Sequence, residues 1–272
     1  MNPLLTILGT FIIGVALRSC KTKIYRKLGA VVYLVVSGMI VYFLTDSIIA
    51  GVLGMAIWFL LPLFQIFGTA RKLRLPLNNK LQHRFAPNED AFPNADATIA
   101  ALEEAGFEHA GNSGWDWACS SQSYQFFWHP EERSVAAVCF CKQSKISFSF
   151  LTIMSRDSSG TLWRTTNYPF SQMLKESPNV WQNNIPCATR CINRILASHH
   201  YFITLHGACH DDLTIPDPDL IDEDVEQDMR RQIDHNLESR IIELTGDGHF
   251  KYSIRGLFFL WKQYIKDMIK LC

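Results

Sequence analysis

Between residues 187 and 211 the chain concentrates groups that ligate metals or act as nucleophiles: Cys187, Cys191, His199, His200, His206, Cys209, His210 and Asp211. Cys187 and Cys191 stand one helical turn apart, as do His206 and His210, so each pair faces one point if its segment is helical. Thiolate and imidazole are the ligands zinc prefers, which makes Cys187, Cys191, His206 and Cys209 the candidate metal set. Their spacing matches no familiar zinc module, and cysteines at i and i+4 equally line a core stripe. The same cluster offers a thiol nucleophile, but that chemistry needs a base within hydrogen-bond reach and a group orienting the base. Sequence adjacency of Cys209 and His210 does not establish either. Cys139 and Cys141 alternate onto one strand face, where packing accounts for them. Apart from zinc, no cofactor is expected.

Other chemical signatures are missing. There is no Walker loop, no G-x-G-x-x-G, no H-E-x-x-H and no G-x-S-x-G. Residues 211–228 hold nine acids and no base. Asp217, Asp219, Asp222 and Asp224 have the look of a calcium loop, yet the glycine at its sixth position and the glutamate at its twelfth are absent. Asp217, Asp219, Asp222, Glu223 and Asp224 read instead as a surface for a basic partner, either another protein or the chain's own basic segments. Nucleic acid is disfavoured as a partner. Phosphate affinity rests on clustered Lys and Arg, and the aromatic stretch 115–128 carries no such cluster.

What must hold these groups starts with a hydrophobic hairpin. Residues 28–45 and 47–70 are free of charge, separated only by Asp46. As helices they run roughly 27 and 36 Å, against about 30 Å of hydrocarbon. The chain must turn at Thr45-Asp46-Ser47, where Asp46 or Ser47 can cap the next helix. Residues 1–17 are also uncharged and read as a first, short span. The expected helices are 3–18, 28–45 and 47–69. Small residues at Ser37-Gly38 and at Ala50 and Gly54 suit close helix packing, and Pro62 kinks the third helix.

Charge gives the expected orientation. Residues 1–75 carry eight basic groups and one acid, a net +7, and the rest carries 18 basic and 25 acidic groups, a net −7. Arg18 to Lys27 contains five positive groups and no acid, and Arg71, Lys72 and Arg74 follow the hairpin, so the positive-inside rule puts both segments in the cytoplasm. The soluble part is then cytoplasmic and its thiols reduced. The expectation is a multi-pass protein of the cell membrane, with the lipid bilayer as its first partner.

The soluble part reads as α+β. After a basic linker at 71–94, containing Pro87 and Pro93, a helix is expected over 95–105. Strands over 123–128, 134–141, 145–154 and 161–166 follow, joined by tight turns. This is an antiparallel meander packed by helices on one face. Helices are expected near 188–200 and 223–244. The domain, 95–272, ends in an amphipathic helix near 253–271. Ile254, Leu257, Trp261, Tyr264, Ile265 and Met268 share one face, and Arg255, Lys262, Lys266 and Lys270 share the other with Phe259. That helix either closes the soluble core or lies among head groups. In the second case Phe259, Lys262 and Lys266 anchor it, alongside Arg71, Lys72 and Arg74. The function expected is a membrane-tethered binding or assembly module. The alternative is a membrane-bound hydrolase or metal-dependent enzyme using the Cys/His cluster.

Overall fold

The computed structural model describes residues 2–78, 80–85, 92, 95–117, 120–143, 146–186, 189 and 191–271. Cys119, Cys187, Pro87 and Pro93 lie outside them. The chain forms two compact units, Met1–Lys72 with Tyr252–Cys272, and Leu73–Lys251.

The first unit opens with α1 (Pro3–Ser19), α2 (Lys23–Thr45) and α3 (Ile48–Thr69). Asp46 adopts a left-handed conformation (φ 51°) and its N–H donates to the Tyr42 carbonyl, ending α2. The Ser47 hydroxyl then accepts the Ala50 N–H at 3.4 Å and starts α3. Glycines allow the two helices to touch. A Cβ on Gly38 would stand 2.9 Å from the Gly51 carbonyl oxygen and 2.7 Å from Met55 Cγ. Both helices are long and apolar enough to cross a membrane. The core helix of a soluble protein would be mostly buried, whereas only 17% of the apolar window of α2 and 6% of that of α3 is buried. Leu53, Ile57 and Phe64 point outward, an apolar surface that lipid accommodates and water does not.

The second unit comprises β1 (Leu75–Pro76), β2 (Gln82–His83), α4 (Ala95–Glu104), β3 (Glu108–Trp117), β4 (Ser120–His129), β5 (Ser134–Gln143), β6 (Ile146–Arg156), β7 (Leu162–Thr166), β8 (Val180–Asn184), α5 (Ile192–Leu205), α6 (Ile221–Glu238), β9 (Ile242–Thr245) and β10 (His249–Tyr252). Strands β2 to β8 form one seven-stranded sheet in sequence order, and β1-β10-β9 a second, three-stranded one. The expected meander is present from β4 to β7 as antiparallel pairs; β3, which was not expected, extends it on one side, and β8 adds to β7 in parallel, so the sheet is mixed.

Helices cover both faces of this sheet, not one. The reason lies in β4 to β6, where neighbouring residues are both apolar. Phe126 and Phe127 are consecutive and each only 1% exposed. Phe127, Val138, Phe140, Leu151 and Ile153 pack with Leu102 of α4 and with Ile192, Ile195 and Leu196 of α5. Phe126, Ala137 and Cys139 pack with Ile221 and Val225 of α6. Each such Phe, Leu or Ile contributes about 1.5–3 kcal/mol relative to an exposed side chain.

Three further expectations change. The linker carries structure: Leu75 pairs with Phe250, both fully buried, and the Leu81 N–H donates to Glu226 at 2.6 Å. The helix expected to reach residue 244 stops at Glu238, because Arg240 turns left-handed (φ 56°) and the β-branched Ile241-Ile242 passes into β9. The last helix, α7 (Ile254–Leu271), packs on the C-terminal half of α3, a partner that neither sequence expectation named. Phe258 meets Phe67 edge-on at 5.6 Å, and the Trp261 indole N–H donates to the Phe59 carbonyl at 2.8 Å. Pro62, which has no N–H to offer the carbonyl one turn back, lies between these contacts.

Gly38→Leu should destabilise the α2–α3 hairpin by about 1–3 kcal/mol, since the Gly51 backbone cannot yield. It should lower the thermal midpoint of the detergent-solubilised protein. Gly9→Leu, at a position with nothing within 4 Å, should leave that midpoint unchanged.

Candidate functional site

Between the sheet and α6 lies a cavity of about 240 Å³. Strand alternation builds its floor in rows that follow the register: Gln122–Cys141, Tyr124–Cys139–Phe150, and Phe126–Ala137–Thr152–Thr166. The hollow has a simple cause. The central strand β5 presents Ala137, Cys139 and Cys141, while β4 and β6 present Tyr124, Phe126 and Phe150 beside them. Small side chains in the middle row leave space that α6, resting on its bulkier neighbours, does not fill. Val225, Asp228, Met229 and Gln232 of α6 form the roof, and Tyr168, Gln172, Met173 and Leu174 from the segment after β7 form a side wall. Phe148, Phe150, Tyr168 and Phe170 stack around one another next to that wall, with Phe170 exposed.

Most polar groups on the floor are neutral and satisfied. The Tyr124 hydroxyl and the Trp115 indole N–H both donate to the Gln122 amide oxygen, at 2.5 and 2.9 Å. The Thr152 hydroxyl donates to that of Thr166 at 3.0 Å. Burial pushes the Tyr124 phenol and the Cys139 thiol well up, the latter helped by neighbouring Cys141, and pushes Cys141 up to about 12. Both thiols are therefore protonated and poor nucleophiles.

The charges sit at one side. Arg164, on β7, donates to Glu176 at 3.3 Å, and the other oxygen of Glu176 accepts the Gln232 amide at 3.2 Å. Burial raises the Glu176 carboxyl; the Arg164 charge opposes this and the Asp228 charge adds to it. Asp228 pairs with Arg156 through Oδ2 at 2.8 Å. Only Arg164 and Asp228 of these ions line the cavity itself.

The Cys/His set is arranged differently. Cys191 caps the start of α5 and His206 its end. About 22 Å of helix separates them, so they cannot share one ion. Cys209 lies exposed beyond the helix, its N–H bonded to Asp212 at 2.8 Å, and His206 Nδ1 donates to the Phe202 carbonyl at 2.8 Å. Among the described residues no three His, Cys, Asp or Glu side chains cluster as metal ligands. His199 is fully buried, with Nδ1 2.9 Å from the Thr165 hydroxyl and Nε2 3.1 Å from that of Ser155. Burial, with the charge of His200 adding, pushes it down to about 3, so it serves α5 packing as a neutral ring.

Several acids of the 211–228 run act inside the fold. Asp222 accepts the Ser113 hydroxyl at 2.5 Å, Asp217 caps a turn by accepting the Asp219 N–H at 3.0 Å, and Glu226 and Asp228 are held as described. Asp219, Glu223 and Asp224 are exposed, the last two in the first turn of α6, where the helix dipole favours them. Arg71, Lys72 and Arg74 are exposed directly after α3, as are Lys262 and Lys266 on α7, with Phe259 half-buried.

Because folded His199 resists protonation while the unfolded chain takes up its proton near pH 6.5, this residue's contribution is complete above about pH 6.5 and declines toward pH 3. The slope is at most about 1.4 kcal/mol per pH unit. Thermal midpoints of the wild type should fall more steeply between pH 7 and pH 5 than those of His199→Gln.

No protein family, curated protein or solved structure matches this chain.

Proposed function

We propose that the chain is a membrane-tethered binding module, whose α+β unit takes a small ligand into the cavity beneath α6. The observation that supports this most is the cavity itself. It is larger than the ~150 Å³ that accommodates a benzene ring, apolar over most of its lining, and crossed by a few converging polar groups, as small-molecule sites are. Its thiols are protonated, and no cysteine is hydrogen-bonded to a histidine among the described residues, so binding explains the arrangement better than thiol catalysis.

In this reading α2 and α3 cross the bilayer and α1 adds a third span packed on α2. The cations at 18–27 and at Arg71, Lys72 and Arg74 hold their segments on the cytoplasmic side. α7 joins the same bundle through Trp261, with Lys262 and Lys266 facing the anionic head-group layer. The α+β unit then works in the cytoplasm, and Asp219, Glu223 and Asp224 offer it a weak contact for a basic protein partner.

Two measurements test the reading. A membrane-impermeant maleimide should leave Cys191 and Cys209 unmodified in intact cells and modify both after lysis, with Cys139 and Cys141 reacting only on unfolding. Labelling of Cys209 in intact cells would place the unit outside. A thermal-shift panel of amino acids, carboxylates, amines and nucleobases on the full chain in detergent should yield compounds that stabilise the wild type but not Ala137→Phe, in which the hollow is filled. A panel with no such difference would remove the binding reading.

A further inference from the structure

The two ions that line the cavity are each incompletely satisfied, and in opposite senses. A guanidinium carries five N–H donors. That of Arg164, with its side chain only 20% exposed, makes one hydrogen bond among the described residues, the 3.3 Å contact to Glu176. Asp228, 11% exposed, uses Oδ2 for Arg156, while its buried Oδ1 has no hydrogen bond. The next cation to Oδ1 is Arg231 at 3.6 Å, on a half-exposed side chain. A donor array left short of partners carries a desolvation penalty that a ligand can relieve, and the Asp228 carboxylate adds a negative charge to the same wall.

Their placement ties them to one space. Asp228 and Gln232 are one turn apart on α6, Gln232 bonds Glu176, and Glu176 bonds Arg164. Beside them lies the hollow over Ala137, Cys139 and Cys141, walled by Tyr124, Phe126 and Phe150. A simple anion would answer Arg164 but face the Asp228 carboxylate, and a simple cation would meet the reverse. Each is disfavoured by one of the two ions.

Building on the binding reading, we propose that the α6 cavity recognises a small zwitterion of the amino-acid type with an apolar or aromatic side chain. Its carboxylate accepts from Arg164, its ammonium is held by the negative charge of the Asp228 carboxylate at the cavity wall, and its side chain fills the hollow over β5. The volume of about 240 Å³ suits a molecule of that size.

The test is calorimetric titration of the full-length protein in detergent with L-phenylalanine, L-leucine, 3-phenylpropionate and 2-phenylethylamine. L-phenylalanine or L-leucine should bind, and the two analogues, each lacking one charged group, should bind at least tenfold more weakly than L-phenylalanine. Asp228→Asn should bring L-phenylalanine and 3-phenylpropionate close to equal, and Arg164→Gln should do the same for L-phenylalanine and 2-phenylethylamine. Both substitutions also break structural ion pairs. Ala137→Phe, which leaves the ions in place and fills the hollow, should therefore abolish binding on its own while thermal unfolding stays cooperative. An analogue binding as tightly as L-phenylalanine overturns the proposal, as does unchanged binding in Ala137→Phe or no binding of either amino acid at millimolar concentration. The wider reading survives these results if other compounds still distinguish the wild type from Ala137→Phe.

Discussion

The α+β unit depends on one constraint: the central strands of its sheet are apolar on both faces, so neither face can meet water. Phe126 and Phe127 state it most sharply, pointing in opposite directions and both buried. An antiparallel sheet with one wet face would have alternated polar and apolar residues. Here two covers are needed. On one side α4 and α5 supply Leu102, Ile195 and Leu196 and the core closes. On the other α6 must do the work alone, and it rests on large residues that flank a row of small ones. The cavity follows from that mismatch.

Long-range polar contacts hold α6 in this raised position. Asp222 reaches Ser113 on β3, Glu226 reaches the backbone of Leu81, Asp228 reaches Arg156 on β6, and Gln232 reaches Glu176. Asp222 and Glu226 stand four residues apart, as do Asp228 and Gln232, so the second pair runs along the face of Ile221 and Val225 and the first along its edge. The acidic character of this stretch thus has a structural origin, separate from any attraction for a basic partner.

The hairpin of α2 and α3 was legible because charge-free runs bounded by cations are unambiguous, and the meander was legible because turn residues punctuate β-branched and aromatic runs. The other strands were not, and two of them show why. β3 contains Gly111-Asn112-Ser113-Gly114, which by composition is a loop, and its pairing with β4 overrides that preference. β8 sits between Pro178 and Pro186 and takes its place from β7. The cavity was invisible for a different reason: Tyr124, Arg164 and Gln232 come from separate elements, and only the register brings them together. The alternation of Ala137, Cys139 and Cys141 between bulkier strands was the one available trace. By contrast the Cys/His cluster was conspicuous in sequence, but α5 holds Cys191 and His206 at opposite ends.

The bond from Trp261 to Phe59 joins residues 202 positions apart. A ribosome adding 5–20 residues per second needs roughly 10–40 s to travel that distance. During synthesis α3 must therefore exist without α7, with the stretch from Phe59 to Phe67 unpaired with it, until the whole α+β unit has emerged. Helix α7 is a late closure, and a chain cut short anywhere in the α+β unit would leave the earlier helices permanently without it.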